Sequence, residues 1–359
     1  MRKLDEVDRK AMRKHVLGIV ENGLPPLKWM PIPSFVRSQP WFIESNAGEN
    51  VLISALSAGD MEVGNGKLQP ALKACLMDEE EGKFTPETIV VGNSSGNWAG
   101  QMALIAPIFP FKEFRPIIDT RSVPKGKIHH LEANGVREII EVPEGSIGTD
   151  YAYEVARRPH HYLLDQYTHQ GSKLGHKWTM DHIIRQLPSL IRQEHAHRYV
   201  WIGNNLSFAA AVTGTCSTVA AMDEFLRPAF PNMEVWAVAS KSNKEKVPGS
   251  RSPEKIDELK SIGGGFNYQN AIDGGLITSV TLDEAYLVNA ELAREYFVDV
   301  GPTGALGLAG VWNRIGEYWM KHGNFDGIRN DAGFVLGCIY TVDKRLPYLD
   351  DPGYRKYFQ

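Results

Sequence analysis

The chain has 359 residues, 43% of them hydrophobic and 23% charged, with a formal net charge of -4, an ordinary balance for a protein that buries one large or two medium cores. No basic excess is present to draw it onto nucleic-acid phosphates or acidic membranes. The three cysteines, Cys75, Cys216 and Cys338, are too far apart in sequence for a disulfide framework or a Cys-rich zinc site, and a reducing compartment fits them.

The first twenty residues mix Lys and Arg with Asp5, Glu6 and Asp8 around no apolar core, so neither a secretory signal nor a transit peptide is expected. No segment reaches membrane-spanning length, and a cytosolic protein is the expectation. A short helix ending near Gly23 leads into a connection rich in proline at Pro25, Pro26, Pro31, Pro33 and Pro40. From about Val51 onward extended runs at 88–91, 115–118, 138–142, 198–202, 234–239 and 333–340 alternate with helical patterns at 70–81, 98–106, 178–195, 218–227 and 282–296. Strands alternating with helices predict an α/β fold of open, mostly parallel sheets flanked by helices. The polar stretch 170–175 suggests a boundary between a smaller unit, 41–170, and a larger one, 1–40 plus 171–359, with ligands in the cleft between them. The charged stretch 241–258 lacks apolar periodicity and is expected to be an exposed loop.

Four clusters of small polar residues fall between an extended run and a helix. They are Gly64-Asn65-Gly66-Lys67, Gly92-Asn93-Ser94-Ser95-Gly96-Asn97, Gly214-Thr215-Cys216-Ser217-Thr218 and Gly301-Pro302-Thr303-Gly304. The second contains G-x-S-x-G after a strand, the setting of a nucleophile elbow, and makes Ser94 a candidate hydrolase nucleophile with His322 and Asp283 or Asp299 as partners. That alternative leaves the other three clusters without a role. The third would cradle a phosphate through backbone amides and the hydroxyls of Thr215, Ser217 and Thr218, or would simply cap a helix. Lys67 precedes the apolar helical run Leu68, Ala71, Leu72, Ala74 and Cys75. Desolvation there would favour the free amine that a Schiff base requires. The histidines show no HExxH or similar zinc spacing, and no metal is expected.

The order of these segments resembles the cysteine synthase and cystathionine β-synthase family of pyridoxal-phosphate enzymes, those of fold type II. Gly66-Lys67-Leu68-Gln69-Pro70-Ala71 is similar to the family's lysine segment, Ser94-Ser95-Gly96-Asn97-Trp98-Ala99 to its Thr-Ser-Gly-Asn-Thr-Gly loop, and Gly214-Thr215-Cys216-Ser217-Thr218 to its phosphate loop. Ile262-Gly263-Gly264-Gly265-Phe266 and Gly301-Pro302-Thr303-Gly304 follow in family order, and His176 and Thr179 fall where a His-Tyr-x-Thr-Thr motif would.

The resemblance implies pyridoxal 5'-phosphate bound by Lys67, Asn97, Gly214, Thr215, Cys216, Ser217, Thr218, Gly264 and Thr303. Asn97 would meet the cofactor's ring oxygen and Thr303 its ring nitrogen. The substrate carboxylate would lie at Ser94, Ser95, Gly96, Trp98 and Gln166. A hydroxyl rather than a carboxylate at Thr303 implies a ring nitrogen left largely unprotonated, suited to loss of a group from the β-carbon. The implied activity is β-replacement on serine or an O-activated serine through an aminoacrylate intermediate. β-Elimination and deamination share that intermediate and stand as the alternative. A homodimer acting on a small amino acid and a small nucleophile is implied as well. Trp98, Ala99, Cys216 and Ser217 depart from the family pattern, which implies a specialised member or one that no longer catalyses.

Overall fold

In the computed structural model the described residues are 5–61, 65–94, 96–190, 203, 205–242, 244–253, 277–344, 348–349 and 351–358. These residues form two sheets. The strands are β1 (Lys28–Trp29), β2 (Val51–Ser57), β3 (Ile89–Asn93), β4 (Glu113–Ile118), β5 (Ile140–Glu141), β6 (His161–Leu163), β7 (Phe208–Val212), β8 (Glu234–Ser240), β9 (Ile277–Val280) and β10 (Val335–Thr341). One sheet is six-stranded in the order β1-β2-β10-β7-β8-β9, the other four-stranded in the order β5-β4-β3-β6. Every pairing is parallel except the edge pair β1 with β2, so the α/β class is as the sequence predicts.

Parallel strands covered on both faces read as unbroken apolar runs, and all seven residues of β2 and of β10 are buried. Their side chains still alternate between two cores, as the two-residue strand period requires. Leu52, Leu56, Ala209, Ala211, Leu336, Cys338 and Tyr340 face one core, while Val51, Ile53, Phe208, Ala210, Val335 and Ile339 face the other. The first core also takes Val90, Phe114 and Ile118 from the smaller sheet and Leu68, Ala71, Leu72 and Cys75 from the helix Leu68–Glu80, so it is continuous between the sheets. The N-terminal helix Glu6–Asn22 seals this core with Val16, Ile19 and Val20, and Arg13 ties it down by hydrogen bonds to Glu79 and the Ile108 carbonyl.

Two features differ from the sequence expectation. Strand β2 pairs with β10 over its whole length and therefore lies in the six-stranded sheet, whereas the sequence places 41–170 in the smaller unit; the smaller sheet begins at Ile89. The longest helix among the described residues, Pro302–His322, shows in the sequence only as the polar cluster at its start. Its Gly304, Gly307 and Gly310 lower helix propensity, yet they lie against the sheet, and a Cβ on Gly310 would stand 2.4 Å from Val238. The run 198–202 lies outside the described residues.

Candidate active site

The carboxyl ends of β2, β3, β7 and β10 lead to Lys67, Ser94 to Asn97, Gly214 to Thr218, and Val342 with Asp343. Open parallel sheets bind ligands at that end. Here it opens into a cleft of about 460 Å³ lined by Lys67, Ser94, Asn97, Trp98, Gln166, Gly214, Thr215, Cys216, Thr218 and Thr303. The fold thus gathers ten of the residues named from the sequence around one space. Ser217 is buried next to them, and Gly96 caps the helix Asn97–Ile105. Ser95, Gly264 and the segment 262–266 lie outside the described residues.

Lys67 sits immediately before the helix Leu68–Glu80, its amide donating to Asn65 Oδ1 at 2.9 Å. The turn is pinned from the sheet, because Gly66 N–H donates to the Val342 carbonyl and the Tyr340 hydroxyl to the Gly66 carbonyl. Only glycine fits at that turn; a Cβ on Gly66 would fall 1.9 Å from the Tyr340 hydroxyl. Burial pulls the Lys67 amine down from an ordinary 10.5 to about 8, against the opposing influence of Cys216. No acidic side chain among the described residues pairs with it. Burial, and then the Lys67 charge, hold His176 well below its usual pKa, so this neighbour is a neutral imidazole 3.1 Å from the Thr218 hydroxyl.

The turn after β7 is shaped for close approach to a ligand. Gly214 lies where a Cβ would come 2.6 Å from the Gly249 carbonyl, and Cys216 adopts φ 59° in the left-handed region that favours glycine. Successive amides in such a turn converge on an anion, and the hydroxyls of Thr215 and Ser217, 2.7 Å apart, stand beside them. Burial pushes the Cys216 thiol up to about 12. It is therefore a packed thiol and no nucleophile at neutral pH.

Opposite this turn is a buried polar network that the sequence did not disclose. Lys127 donates to Asn97 Oδ1 at 2.6 Å and to the Tyr348 hydroxyl at 2.8 Å. Asn97 Nδ2 donates to Asp343 Oδ2 at 2.8 Å, Thr303 donates to Asp343 Oδ1 at 3.0 Å, and Tyr348 also donates to Asp343. An ammonium on one side and a carboxylate on the other leave Asn97 one amide orientation, with its remaining N–H as a donor. Asp343 follows β10 at the carboxyl end of the sheet, a place that marks candidate site residues. Lys127, within Pro124-Lys125-Gly126-Lys127, reads as surface charge, and nothing in its local sequence sets it apart.

Several expectations change here. In the stretch 241–258, Lys241, Lys244, Glu245 and Lys246 are exposed as expected, but Val247, Ser250 and Ser252 are buried, and Lys246, Gly249 and Arg251 line the cleft. The Trp98 ring turns inward, edge-on to Phe114 at 5.9 Å and against Gly92, so its bulk fills the core more than the substrate space. Gln166 donates to the Asn93 carbonyl at 2.6 Å, which holds the loop after β3. The Ser94 hydroxyl accepts from the amides of Gly96 and Ala99 and so caps a helix. His322 ends the helix that Thr303 begins, ~28 Å along the axis at 1.5 Å per residue, and lies against Tyr318. Asp283 accepts from Tyr357. The catalytic triad needed by the Ser94 hydrolase reading is not assembled.

The donor set suits a phosphorylated aromatic aldehyde: a desolvated amine, an amide cradle with hydroxyls for a dianion, and Asn97 and Thr303 for ring heteroatoms. Comparison with known proteins points the same way. Residues 64–319 match the family described as pyridoxal-phosphate dependent enzyme. Cysteine synthase 3 of Caenorhabditis elegans is 27% identical over 229 residues, 61% of this chain and 62% of that protein's length. Among solved structures, a hydrogen sulfide-producing enzyme from Fusobacterium nucleatum superposes with a TM-score of 0.69 at 17% identity, covering 93% of this chain and 99% of the other. A lysine-to-alanine mutant of O-ureido-L-serine synthase with O-ureido-L-serine bound superposes with a TM-score of 0.67 at 17% identity, covering 93% and 92%. Among the described residues no helix is long and apolar enough to cross a membrane.

Proposed function

Because the chain belongs to the family of pyridoxal-phosphate dependent enzymes, we propose that it catalyses β-replacement on serine or an O-activated serine, with Lys67 as the cofactor lysine. The cofactor is pyridoxal phosphate, and when bound it supplies a conjugated electron sink next to the substrate's α-carbon. The observation that carries the proposal is Lys67: a desolvated amine with a pKa of about 8, turned into the cleft. The names of the similar proteins support the substrate class, since cysteine synthase and O-ureido-L-serine synthase are both named for β-substituted alanines.

The roles are those the family resemblance assigns, and the gathering of the described side chains around one cleft supports them. Lys67 would hold the cofactor, and its amine, when free, would be the base that holds the proton taken from the substrate's α-carbon. Thr215, Ser217, Thr218 and the amides of their turn would bind the phosphate, and the family resemblance adds Gly264 to them. Asn97 presents an N–H to the ring oxygen, and Thr303 meets the ring nitrogen. Ser94, Ser95 and Gly96 orient the substrate carboxylate, with Gln166 and Trp98 setting the position of their loop. On the same family resemblance we place the enzyme in the cytosol as a homodimer, for which the mass of the protein in solution is the check.

The purified enzyme, loaded with cofactor and given O-acetylserine or serine with sulfide, a thiol or an amine, should release an amino acid bearing the added group on its β-carbon. Mass spectrometry of the products decides the matter. Pyruvate and ammonia alone, with every nucleophile tried, would show elimination in place of replacement.

Capture of the cofactor should depend on pH with a sign that the burial of Lys67 dictates. Only the free amine reacts, so the capture rate is expected to level off above about 8 and to fall tenfold per pH unit below it. An inflexion at the ordinary 10.5 would show that Lys67 is not desolvated. Linkage gives a companion sign. The unfolded lysine holds its proton more tightly, so the stability of the cofactor-free protein should gain from this residue as pH rises from about 8 to 10.5.

A further inference from the structure

Asp343 touches both residues assigned to the edges of the cofactor ring. Its carboxylate is 2% exposed, accepts from Thr303 on Oδ1 and from Asn97 on Oδ2, and lies 3.9 Å from the Lys127 ammonium, itself 5% exposed. Its backbone is fixed as well: the Gly301 amide donates to the Asp343 carbonyl at 2.7 Å, and Asp343 forms an antiparallel bridge with Asn65 beside the Lys67 turn. One acidic residue thus joins β10, the start of the helix Pro302–His322 and the Asn97 loop through its side chain, and the lysine turn through its backbone.

An ionised carboxylate only accepts hydrogen bonds, and a threonine hydroxyl has a single proton to give. In this structure Thr303 spends that proton on Asp343. What Thr303 can offer in any other direction is a lone pair. A ring nitrogen set against that oxygen forms a hydrogen bond only when the nitrogen itself carries a proton. Turning the hydroxyl to donate to a bare nitrogen would strip a donor from a buried carboxylate, and hydrogen bonds to charged groups are the costlier ones to lose. Among the described residues, the charged or titratable side chains bonded to or paired with this carboxylate, Lys127 and Tyr348, sit with Asn97 on Oδ2, and the Tyr340 hydroxyl is spent on the Gly66 carbonyl, so the Thr303 contact on Oδ1 is undisturbed.

We propose that Asp343 is a positioning residue that, through Thr303, keeps the cofactor's ring nitrogen protonated. This departs from the unprotonated nitrogen that a bare threonine implies. It makes the bound ring a stronger electron sink than the hydroxyl alone would, and extends the chemistry open to this site toward steps that build more negative charge on the α-carbon. The inference rests on the placement of Thr303 against the ring nitrogen given above.

The test is the nitrogen-15 chemical shift of ring-labelled pyridoxal phosphate bound to the full-length protein. The wild-type signal is expected at the upfield, protonated position, and to stay there across the pH range in which the free cofactor loses that proton. Asp343→Asn and Thr303→Val should each move it to the unprotonated position. The near-visible absorbance that borohydride fixes on Lys67 should remain in both variants. A wild-type signal at the unprotonated position overturns the proposal, whatever the variants do, so it stands or falls even where Asp343→Asn folds poorly. A signal that Thr303→Val leaves protonated likewise overturns it. Absence of any borohydride-fixed adduct on Lys67 would instead bring down the placement of the cofactor, and this outcome is separate because it is read by peptide mass.

Discussion

Replacing Lys67 with alanine is expected to abolish the near-visible band that borohydride fixes to the protein and to lower product formation on the order of 10³-fold or more, the scale of losing a positioned general base. The same amine is assigned to hold the cofactor and to take the α-proton, so the variant loses both functions at once. The fold should survive. The side chain reaches into the cleft, and a charged Lys67 is disfavoured by its own burial, which holds its pKa at about 8. Thermal unfolding of the cofactor-free variant at neutral pH should therefore match or exceed that of the wild type. Peptide mass after borohydride is the decisive reading. A band that persists in Lys67→Ala and maps to Lys127, the other lysine that burial lowers to about 8, would transfer the cofactor to the opposite wall of the site.

The largest effect on stability should come from Lys127→Met. Removing one partner of a buried ion pair typically costs about 3–5 kcal/mol. The lower end applies here, because Asp343 would keep three neutral donors in Asn97, Thr303 and Tyr348. The midpoint of denaturant unfolding should fall accordingly. Asn97 would also lose the cation that fixes its amide orientation, so the cofactor should dissociate faster. Adding Asp343→Asn to Lys127→Met removes the unpaired charge and should recover part of the stability, a non-additivity expected of residues in one network. If Lys127→Met unfolds at the wild-type denaturant concentration, the pair carries no buried charge and the network is held by neutral hydrogen bonds alone.

The site was legible in sequence wherever its chemistry sits in a short contiguous segment. Lys67 follows a glycine turn and opens an apolar helix, Asn97 opens a helix after a strand, and Gly214 to Thr218 link a strand to a helix. Each carries its own local signature of small residues, because backbone approach to a ligand leaves no room for larger ones. Ser94 shows the limit of such patterns. G-x-S-x-G specifies a turn in which a serine oxygen accepts from the following amides, and the same geometry serves a helix cap as well as a nucleophile. Only the distance to an imidazole separates the two.

By itself the sequence determined the fold class, the family and the residues proposed to meet the cofactor, since strand and helix periods and turn chemistry are written in neighbouring positions. The tertiary structure alone decided what stands behind them. Asp343 lies 246 positions from Asn97 and Tyr348 lies 221 from Lys127, and no periodicity links residues so far apart. Their meeting depends on β10 running parallel between β2 and β7 and delivering Asp343 to the sheet end where the other loops converge. The lining role of Lys246 to Arg251 was hidden for the same reason: a polar stretch without periodicity looks solvated until the surfaces on either side of it are known. A burial so arranged leaves its mark on pKa and hydrogen-bond direction, which are properties of the assembled environment and of no single segment.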